Sequence, residues 1–234
     1  KHQELDAVHA DSRALIKTND FNEKAAVNFE ITYANCNNFV EATPHKIIVA
    51  PGFISSSVSG NPTTLGSGGS DYTAAIFAAA VEAEVLEIWT DVSGMYTANP
   101  KLVKQAKAIP HISYEEAMEL SHFGAKVLYP PAIQPAYESD IPVLLKNTFD
   151  PDHPGTMIDK HIYHSDQIVT GISSIDQVAM VNLTGIGMIG VSGYSSRVFS
   201  ALHHHHINVV MIAQSCSERG ICVAVDHADL QATH

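Results

Sequence analysis

A glycine-rich segment set between two strand-like runs constrains the fold of this 234-residue chain more than any other feature. Residues 46–50 are an apolar, β-branched run that ends at Pro51-Gly52, as is typical of a buried parallel strand. Residues 72–83 are rich in alanine and predict a helix that can pack close to a sheet, and residues 85–89 predict the next strand. Strands that alternate with helices at this spacing predict an α/β fold with a parallel sheet.

The glycine-rich segment runs from Gly66 to Asp71 and directly precedes the alanine-rich helix. Glycines at this place leave the first N–H groups of the helix open, and with the helix dipole these groups favour an anion such as phosphate. Asp71 would repel that anion, so its presence points to a metal, a substrate ammonium group or a proton in transit. Alternatively, Ser70 or Asp71 serves only as the N-cap of the helix.

Polar residues also follow the second predicted strand. Thr90 and Asp91 stand at its carboxyl end, and Tyr96 and Lys101 lie in the loop beyond it. Ligands of open parallel sheets bind at the carboxyl ends of strands. Asp91 could therefore accept hydrogen bonds from ribose hydroxyls, while Tyr96 could flank a base and Lys101 could contact phosphate oxygens. The alternative is an ordinary turn in which Asp91 and Ser93 bond the local backbone.

The sequence pattern changes after about residue 160, and we expect a domain boundary there. Residues 195–205 predict a helix, and four further segments predict strands, namely residues 168–172, 178–183, 207–214 and 221–226. This order is typical of a small α+β regulatory unit. Residues 203–206 are four consecutive histidines, whose side chains would diverge by about 100° per residue on a helix. We therefore expect a polar helix end there rather than a metal site.

The charge and the cysteines limit the function classes. A net charge of −12 argues against nucleic acid and against an anionic membrane as partners. Three cysteines without metal-ligand spacing suit a reducing cytoplasm better than a disulfide framework. No apolar run reaches the roughly 20 residues that a membrane helix needs, and the chain does not open with a charged leader and an apolar core. We therefore predict a cytoplasmic protein.

Four segments resemble the aspartate kinases of the amino-acid kinase family, namely residues 63–75, 88–101, 113–130 and 141–156. The resemblance implies an α/β parallel-sheet sandwich of the amino-acid kinase type in residues 1–160, followed by an α+β domain similar to an ACT regulatory domain in residues 161–234. It implies transfer of the γ-phosphate of ATP, with Mg²⁺, to the side-chain carboxylate of L-aspartate. The product would be 4-phospho-L-aspartate, at the start of lysine, threonine and methionine biosynthesis.

The resemblance also assigns roles to individual residues. It makes Asp71 and Ser70 catalytic and requires no protein ligand for the metal. It places the substrate aspartate against Phe53, Ser67, Gly68 and Gly69, and the ATP against Thr90, Asp91, Tyr96, Lys101 and Lys126. It places an inhibitory amino acid, lysine or threonine, against Met188, Gly193, Asn208, Val209 and Gln214, although each of these could instead be an ordinary strand-end residue. ACT units pair edge to edge, so a homodimer is expected.

Two departures from the family pattern qualify these expectations. Ser67 stands where the family commonly has an arginine that pairs with a substrate carboxylate. Losing such a charge-assisted bond would weaken substrate binding by about 1.5–3 kcal/mol. In addition, no Lys-Phe-Gly-Gly-like strand occurs, so we expect that an N-terminal part of the catalytic domain is missing from this chain. The alternatives to an active kinase are a non-catalytic relative that binds nucleotide and effector, or the kinase part of a bifunctional aspartokinase/homoserine dehydrogenase.

Overall fold

The computed structural model describes residues 5–122, 127–161, 168–185, 187, 190–214 and 220–230. Contacts within the chain group it into two compact units, Lys1–Ser174 and Ile175–His234. The predicted domain boundary between residues 160 and 161 stays a prediction. None of the described helices is long and apolar enough to cross a membrane.

The first unit alternates short strands with helices. Its strands are β1 (Ala7–His9), β2 (Lys17–Thr18), β3 (Ile47–Val49), β4 (Ile54–Ser57), β5 (Pro62–Thr64), β6 (Leu86–Thr90), β7 (His111–Ser113), β8 (Val143–Asn147) and β9 (Thr156–Asp159). Its helices are α1 (Ser12–Leu15), α2 (Phe29–Glu41), α3 (Gly69–Ala80), α4 (Tyr114–His122) and α5 (Gln134–Glu138), with a 3₁₀ turn at Pro130–Ile133.

The largest sheet of the first unit has the strand order β6-β8-β9-β7. The pairs β6–β8 and β7–β9 are parallel, whereas β8 and β9 are antiparallel. A short loop joins β8 to β9, and such a loop permits only an antiparallel pair, because a parallel pair needs a crossover of a dozen or more residues. The predicted α/β class is therefore confirmed, with one antiparallel pair inside the sheet.

Helix α3 covers one face of this sheet. Ala75 and Ala79 of α3 share a buried cluster with Ile88 of β6 and Leu145 of β8. Along β6, buried and exposed residues alternate, as expected for a strand with one covered face. Tyr114 is fully buried in the same cluster, and its hydroxyl donates a hydrogen bond to the carbonyl of Ile141. The alanine-rich helix thus packs against the sheet as its small side chains predict.

Two predictions about strands are wrong. The run around β3 is parallel to β1, but it is not buried, since Ile47 and Val49 are 41% and 55% exposed. Within the described residues, β3 belongs to a sheet of only two strands, so no further strand pairs with its second edge. Residues 168–172 form no strand either. This segment belongs to the first unit and bonds to other parts of it: the Thr170 hydroxyl donates to Glu116 Oε1 at 2.7 Å, and the Ile172 N–H donates to the Thr97 carbonyl at 2.9 Å.

The second unit is an antiparallel sheet with one helix. It consists of β10 (Val178–Thr184), α6 (Tyr194–His204), β11 (Val209–Gln214) and β12 (Gly220–Asp226), followed by a 3₁₀ turn at His227–Asp229. The strand order is β10-β12-β11, so β12 is the central strand. Val223 and Val225 of β12 are fully buried and pack with Val198 and Leu202 of α6. This arrangement agrees with the predicted α+β unit.

Candidate functional site

The first turn of α3 presents Ser70 and Asp71 at the surface of the first unit. Gly68 is the N-cap residue, with φ of 68°, and it offers no side-chain cap. The N-cap alternative for Ser70 and Asp71 is therefore wrong, because both lie inside the helix. Gly68 is also closely packed, since a Cβ added there would lie 2.6 Å from Cδ1 of the Tyr129 ring. No side chain caps this end of the helix, although the Gly69 N–H donates to the Gly66 carbonyl at 3.0 Å.

Asp71 is half-buried, and burial raises the pKa of its carboxyl group above the ordinary value. A hydrogen bond from the Ser70 side chain opposes this shift but does not cancel it. A carboxylate at this position is therefore costly to ionise unless a cationic group approaches it. Such an environment is typical of binding and catalytic carboxylates.

The loop before β4 brings Phe53 against the same helix turn. The Phe53 N–H donates to the Gly69 carbonyl at 3.2 Å and to Thr73 Oγ1 at 3.0 Å. A Cβ added at Gly69 would lie 2.7 Å from Cδ2 of the Phe53 ring. The structure thus brings together four of the predicted site residues: Phe53, Gly69, Ser70 and Asp71.

Ser67 precedes this turn and lines a large cavity of about 950 Å³. The wall of the cavity is mainly apolar, with Met118, Leu128 and Tyr129 among its described residues. No lysine or arginine occurs among the described residues of that wall. The described wall of this cavity therefore holds no cation in place of the arginine that the family commonly has at this position.

The predicted nucleotide residues fall into two groups. Thr90 ends β6, and its hydroxyl donates to Asp91 Oδ1 at 3.3 Å. Tyr96 and Lys101 line a cavity of about 330 Å³ together with Leu120 and Ile172. Thr90 and Asp91 are not among the described residues that line this cavity. Lys126 lies outside the described residues.

The turn after Asp91 is hydrogen-bonded to residues of β8 and β9. The Asn147 side-chain amide donates to Ser93 Oγ at 2.8 Å, and the Met95 N–H donates to Thr156 Oγ1 at 2.8 Å. Sequence reasoning missed Asn147 and Thr156, although both stand at ends of strands, where such a signal could be sought. These contacts hold the turn beside the carboxyl ends of β6 and β8.

The second unit has a cavity of about 330 Å³ at the start of α6. Gly193 and Gln214 both line it, together with Ser192, Tyr194 and Ile221. Gly193 is the N-cap residue of α6, with φ of 83°. Asn208 and Val209 are not among the described lining residues, and Val209 packs on the core of the second unit instead. Met188 lies outside the described residues.

The histidines at residues 203–206 are exposed. Within the part of the chain that the structure describes, no group of three or more metal-ligating side chains is close enough to hold an ion.

Comparison with known proteins shows the family to which this chain belongs. Residues 2–147 match the family model described as Amino acid kinase family, and residues 181–233 match the one described as ACT domain. The first match alone covers more than half of the chain. This chain belongs to the amino acid kinase family. The predicted resemblance to kinases with an ACT domain is therefore confirmed.

Similar proteins of known type are aspartokinases. The bifunctional aspartokinase/homoserine dehydrogenase of Haemophilus influenzae is 46% identical over 190 residues, which are 80% of this chain and 23% of that relative. Aspartokinase III of Escherichia coli, solved with lysine and aspartate, is 33% identical with a TM-score of 0.77. The same enzyme solved with aspartate and ADP gives a TM-score of 0.75. Each of these two matches covers 96% of this chain and 50% of the E. coli chain, so this chain spans about half the length of that relative.

Proposed function

We propose that this chain carries the phosphoryl-transfer and regulatory parts of an aspartate kinase. The observation that supports this most is the cluster of Phe53, Gly69, Ser70 and Asp71 at the N-terminus of α3, which has no side-chain cap. The similar E. coli aspartokinase III was solved with aspartate and ADP, which supports the same ligand classes here. In the reaction, a side-chain carboxylate oxygen of aspartate bonds to the γ-phosphorus of ATP, the bond to the β-phosphate oxygen breaks, and ADP leaves.

The substrate carboxylate is already a nucleophile, so catalysis consists mainly of alignment and charge neutralisation. The positive end of the α3 dipole faces the transferring phosphoryl group and stabilises its charge. Asp71 binds the substrate ammonium group, because a half-buried carboxylate needs a cationic partner. Phe53 forms one wall of the aspartate pocket. The backbones of Gly68 and Gly69 lie beside the substrate, and their missing Cβ atoms leave room for Tyr129 and Phe53.

The nucleotide binds beside the carboxyl end of β6. Thr90 and Asp91 bond the ribose, Tyr96 flanks the adenine, and Lys101 contacts phosphate oxygens, as does Lys126. The cavity that Tyr96 shares with Lys101 supports this placement. We assign no protein ligand to Mg²⁺, an ion that needs few of them, and bound Mg²⁺ would supply neutralisation of the phosphate charge.

The second unit binds an inhibitory amino acid, lysine or threonine. The cavity at the start of α6 supports this, because the open N–H groups of an 11-residue helix can hold a carboxylate and Gln214 adds a polar group. One structure of the E. coli aspartokinase III contains bound lysine in addition to aspartate. We also propose that the protein is a homodimer paired through its ACT units and that it works in the cytoplasm.

Ser67 favours a second candidate, a relative that binds nucleotide and effector without turnover. A third candidate is the kinase part of a bifunctional aspartokinase/homoserine dehydrogenase, which the relative from H. influenzae supports.

The decisive experiment uses the complete protein that contains this chain. With ATP, Mg²⁺ and L-aspartate present, hydroxylamine should trap an aspartyl hydroxamate, and no hydroxamate should form when aspartate is omitted. Tight ADP binding without hydroxamate would support the non-catalytic relative instead.

A further inference from the structure

We infer that Thr73 is a positioning residue that fixes Phe53 against the first turn of α3. This inference rests on the proposed function for its catalytic consequence, but its structural part stands on the contacts alone. Thr73 is 3% exposed, so its hydroxyl cannot rely on water. The hydroxyl donates to the Gly69 carbonyl at 2.7 Å and accepts the Phe53 N–H at 3.0 Å. One buried atom therefore links the helix turn to the loop.

Phe53 needs such a link because of its backbone conformation. Its φ is 75°, in the left-handed region that bulky residues rarely adopt. A conformation of this kind persists only where the surroundings determine it, and it is typical of ligand sites. The Phe53 side chain is nevertheless 43% exposed, so burial of the ring alone does not hold it. The backbone contacts must do so.

Other contacts restrain the same loop from different directions. The Ser12 hydroxyl is buried and donates to the Pro51 carbonyl at 2.5 Å. A Cβ added at Gly52 would lie 2.9 Å from Cα of Ser70, so loop and helix touch backbone to backbone. The Leu65 N–H donates to the Phe53 carbonyl at 3.0 Å. At the Phe53 N–H itself, Thr73 Oγ1 is the nearer acceptor at 3.0 Å, and the Gly69 carbonyl is a second acceptor at 3.2 Å.

The consequence concerns the geometry of the proposed aspartate pocket. Thr73 follows Gly69 by four residues, so it lies on the same face of α3, one turn further on. Its hydroxyl sets the distance between the Phe53 wall and the turn that carries Ser70 and Asp71. Because a small misplacement of reacting groups lowers the rate of phosphoryl transfer strongly, loss of this hydroxyl should affect kcat more than folding.

The test compares three variants of the complete protein. Thr73→Val removes the hydroxyl at nearly constant volume, and Thr73→Ser keeps it. Thr32→Val is the matched control, since Thr32 is also buried and its Oγ1 accepts a backbone N–H at the same 3.0 Å distance, but from Lys17 of β2 and not from Phe53. Two quantities are measured: amide hydrogen exchange at Phe53 by NMR, and kcat and KM for aspartate by hydroxamate formation.

We expect Thr73→Val to speed exchange at the Phe53 amide by at least about tenfold and to lower kcat by about tenfold. Thr73→Ser should retain both, and Thr32→Val should change neither. Unchanged exchange at Phe53 in Thr73→Val would overturn the inference, as would an equal loss of kcat in Thr32→Val. If the wild-type protein forms no hydroxamate, the proposed function fails, and the exchange data still decide whether Thr73 fixes Phe53.

Discussion

Asp71 is a carboxylate whose ionisation the fold opposes, because burial raises its pKa. A group with a raised pKa in the folded state holds its proton more tightly when folded than when unfolded. Its contribution to stability is therefore fully present below the unfolded pKa and is lost as the pH rises through the folded pKa. We expect Asp71→Asn to gain stability relative to the wild type at about pH 7 but not at about pH 3. Urea unfolding at both pH values measures this, and an equal difference at both would contradict it.

Ser67 offers a gain-of-function test. If the proposed pocket holds aspartate, Ser67→Arg should supply a charge-assisted bond to a substrate carboxylate. We expect the KM for aspartate to fall by about 10- to 100-fold. Ser67→Gln is the control, because it adds length without charge and should leave the KM nearly unchanged. An equal effect of both substitutions would show that length, not charge, matters there.

Cys36 should be chemically silent. It is 1% exposed, and burial raises the pKa of its thiol to about 11. Because the thiolate is the reactive form, iodoacetamide at about pH 8 should leave Cys36 unmodified in the folded protein and modify it after unfolding. Of the two cysteines within the described residues, Cys222 is only partly buried and should react before Cys36. Mass spectrometry of peptides tests the order, and early modification of Cys36 would contradict it.

At the scale of elements, the hairpin of β8 and β9 depends on Gly155. Its φ is 81°, and a Cβ there would lie 2.0 Å from the Leu145 carbonyl oxygen. We expect Gly155→Ala to lower the free energy of unfolding by more than about 2 kcal/mol. Gly60 is the matched control, since its φ is 94° but nothing lies within 4 Å of the added Cβ. Gly60→Ala should lower it by only about 1 kcal/mol, the strain of the backbone alone.

The elements themselves were largely predictable, for reasons that differ between them. Helix α3 begins near the predicted place because glycines precede a run of small helix-forming residues. The exposure of β3 was not predictable. An apolar run is typical of a buried strand, and the local sequence does not reveal which elements will pack against it. The irregular segment at 168–172 has the composition of a strand, yet Thr170 bonds to Glu116 and Ile172 bonds to Thr97.

The candidate site was predictable where its residues are close in sequence. Ser70 and Asp71 follow the glycines directly, so the sequence places them close to the helix start, although α3 begins at Gly69 and not at the predicted residue 72. The contact between Thr73 and Phe53 joins residues twenty positions apart, and only the folded loop reveals it. The cavity that Gly193 shares with Gln214 likewise depends on sheet pairing, which no local pattern specifies.

In the whole molecule, we propose that the second unit carries regulation and the first unit carries catalysis. Gln214 lines the proposed effector cavity of the second unit and takes no part in the proposed chemistry of the first. We expect Gln214→Leu to weaken inhibition by lysine or threonine by about tenfold while kcat stays unchanged. Inhibition curves of the complete protein with each amino acid measure this. Undiminished inhibition in the variant would show that the effector does not bind at Gln214.

If the first turn of α3 carries phosphoryl transfer to aspartate, Asp71→Asn should strongly lower the rate of that reaction. The rate of hydroxamate formation from ATP and L-aspartate is compared between the wild-type complete protein and this variant, with folding checked by circular dichroism. We predict a hydroxamate signal in the wild type and a loss of at least about 100-fold in kcat/KM in the folded variant. A folded Asp71→Asn protein that turns over at the wild-type rate would contradict the account.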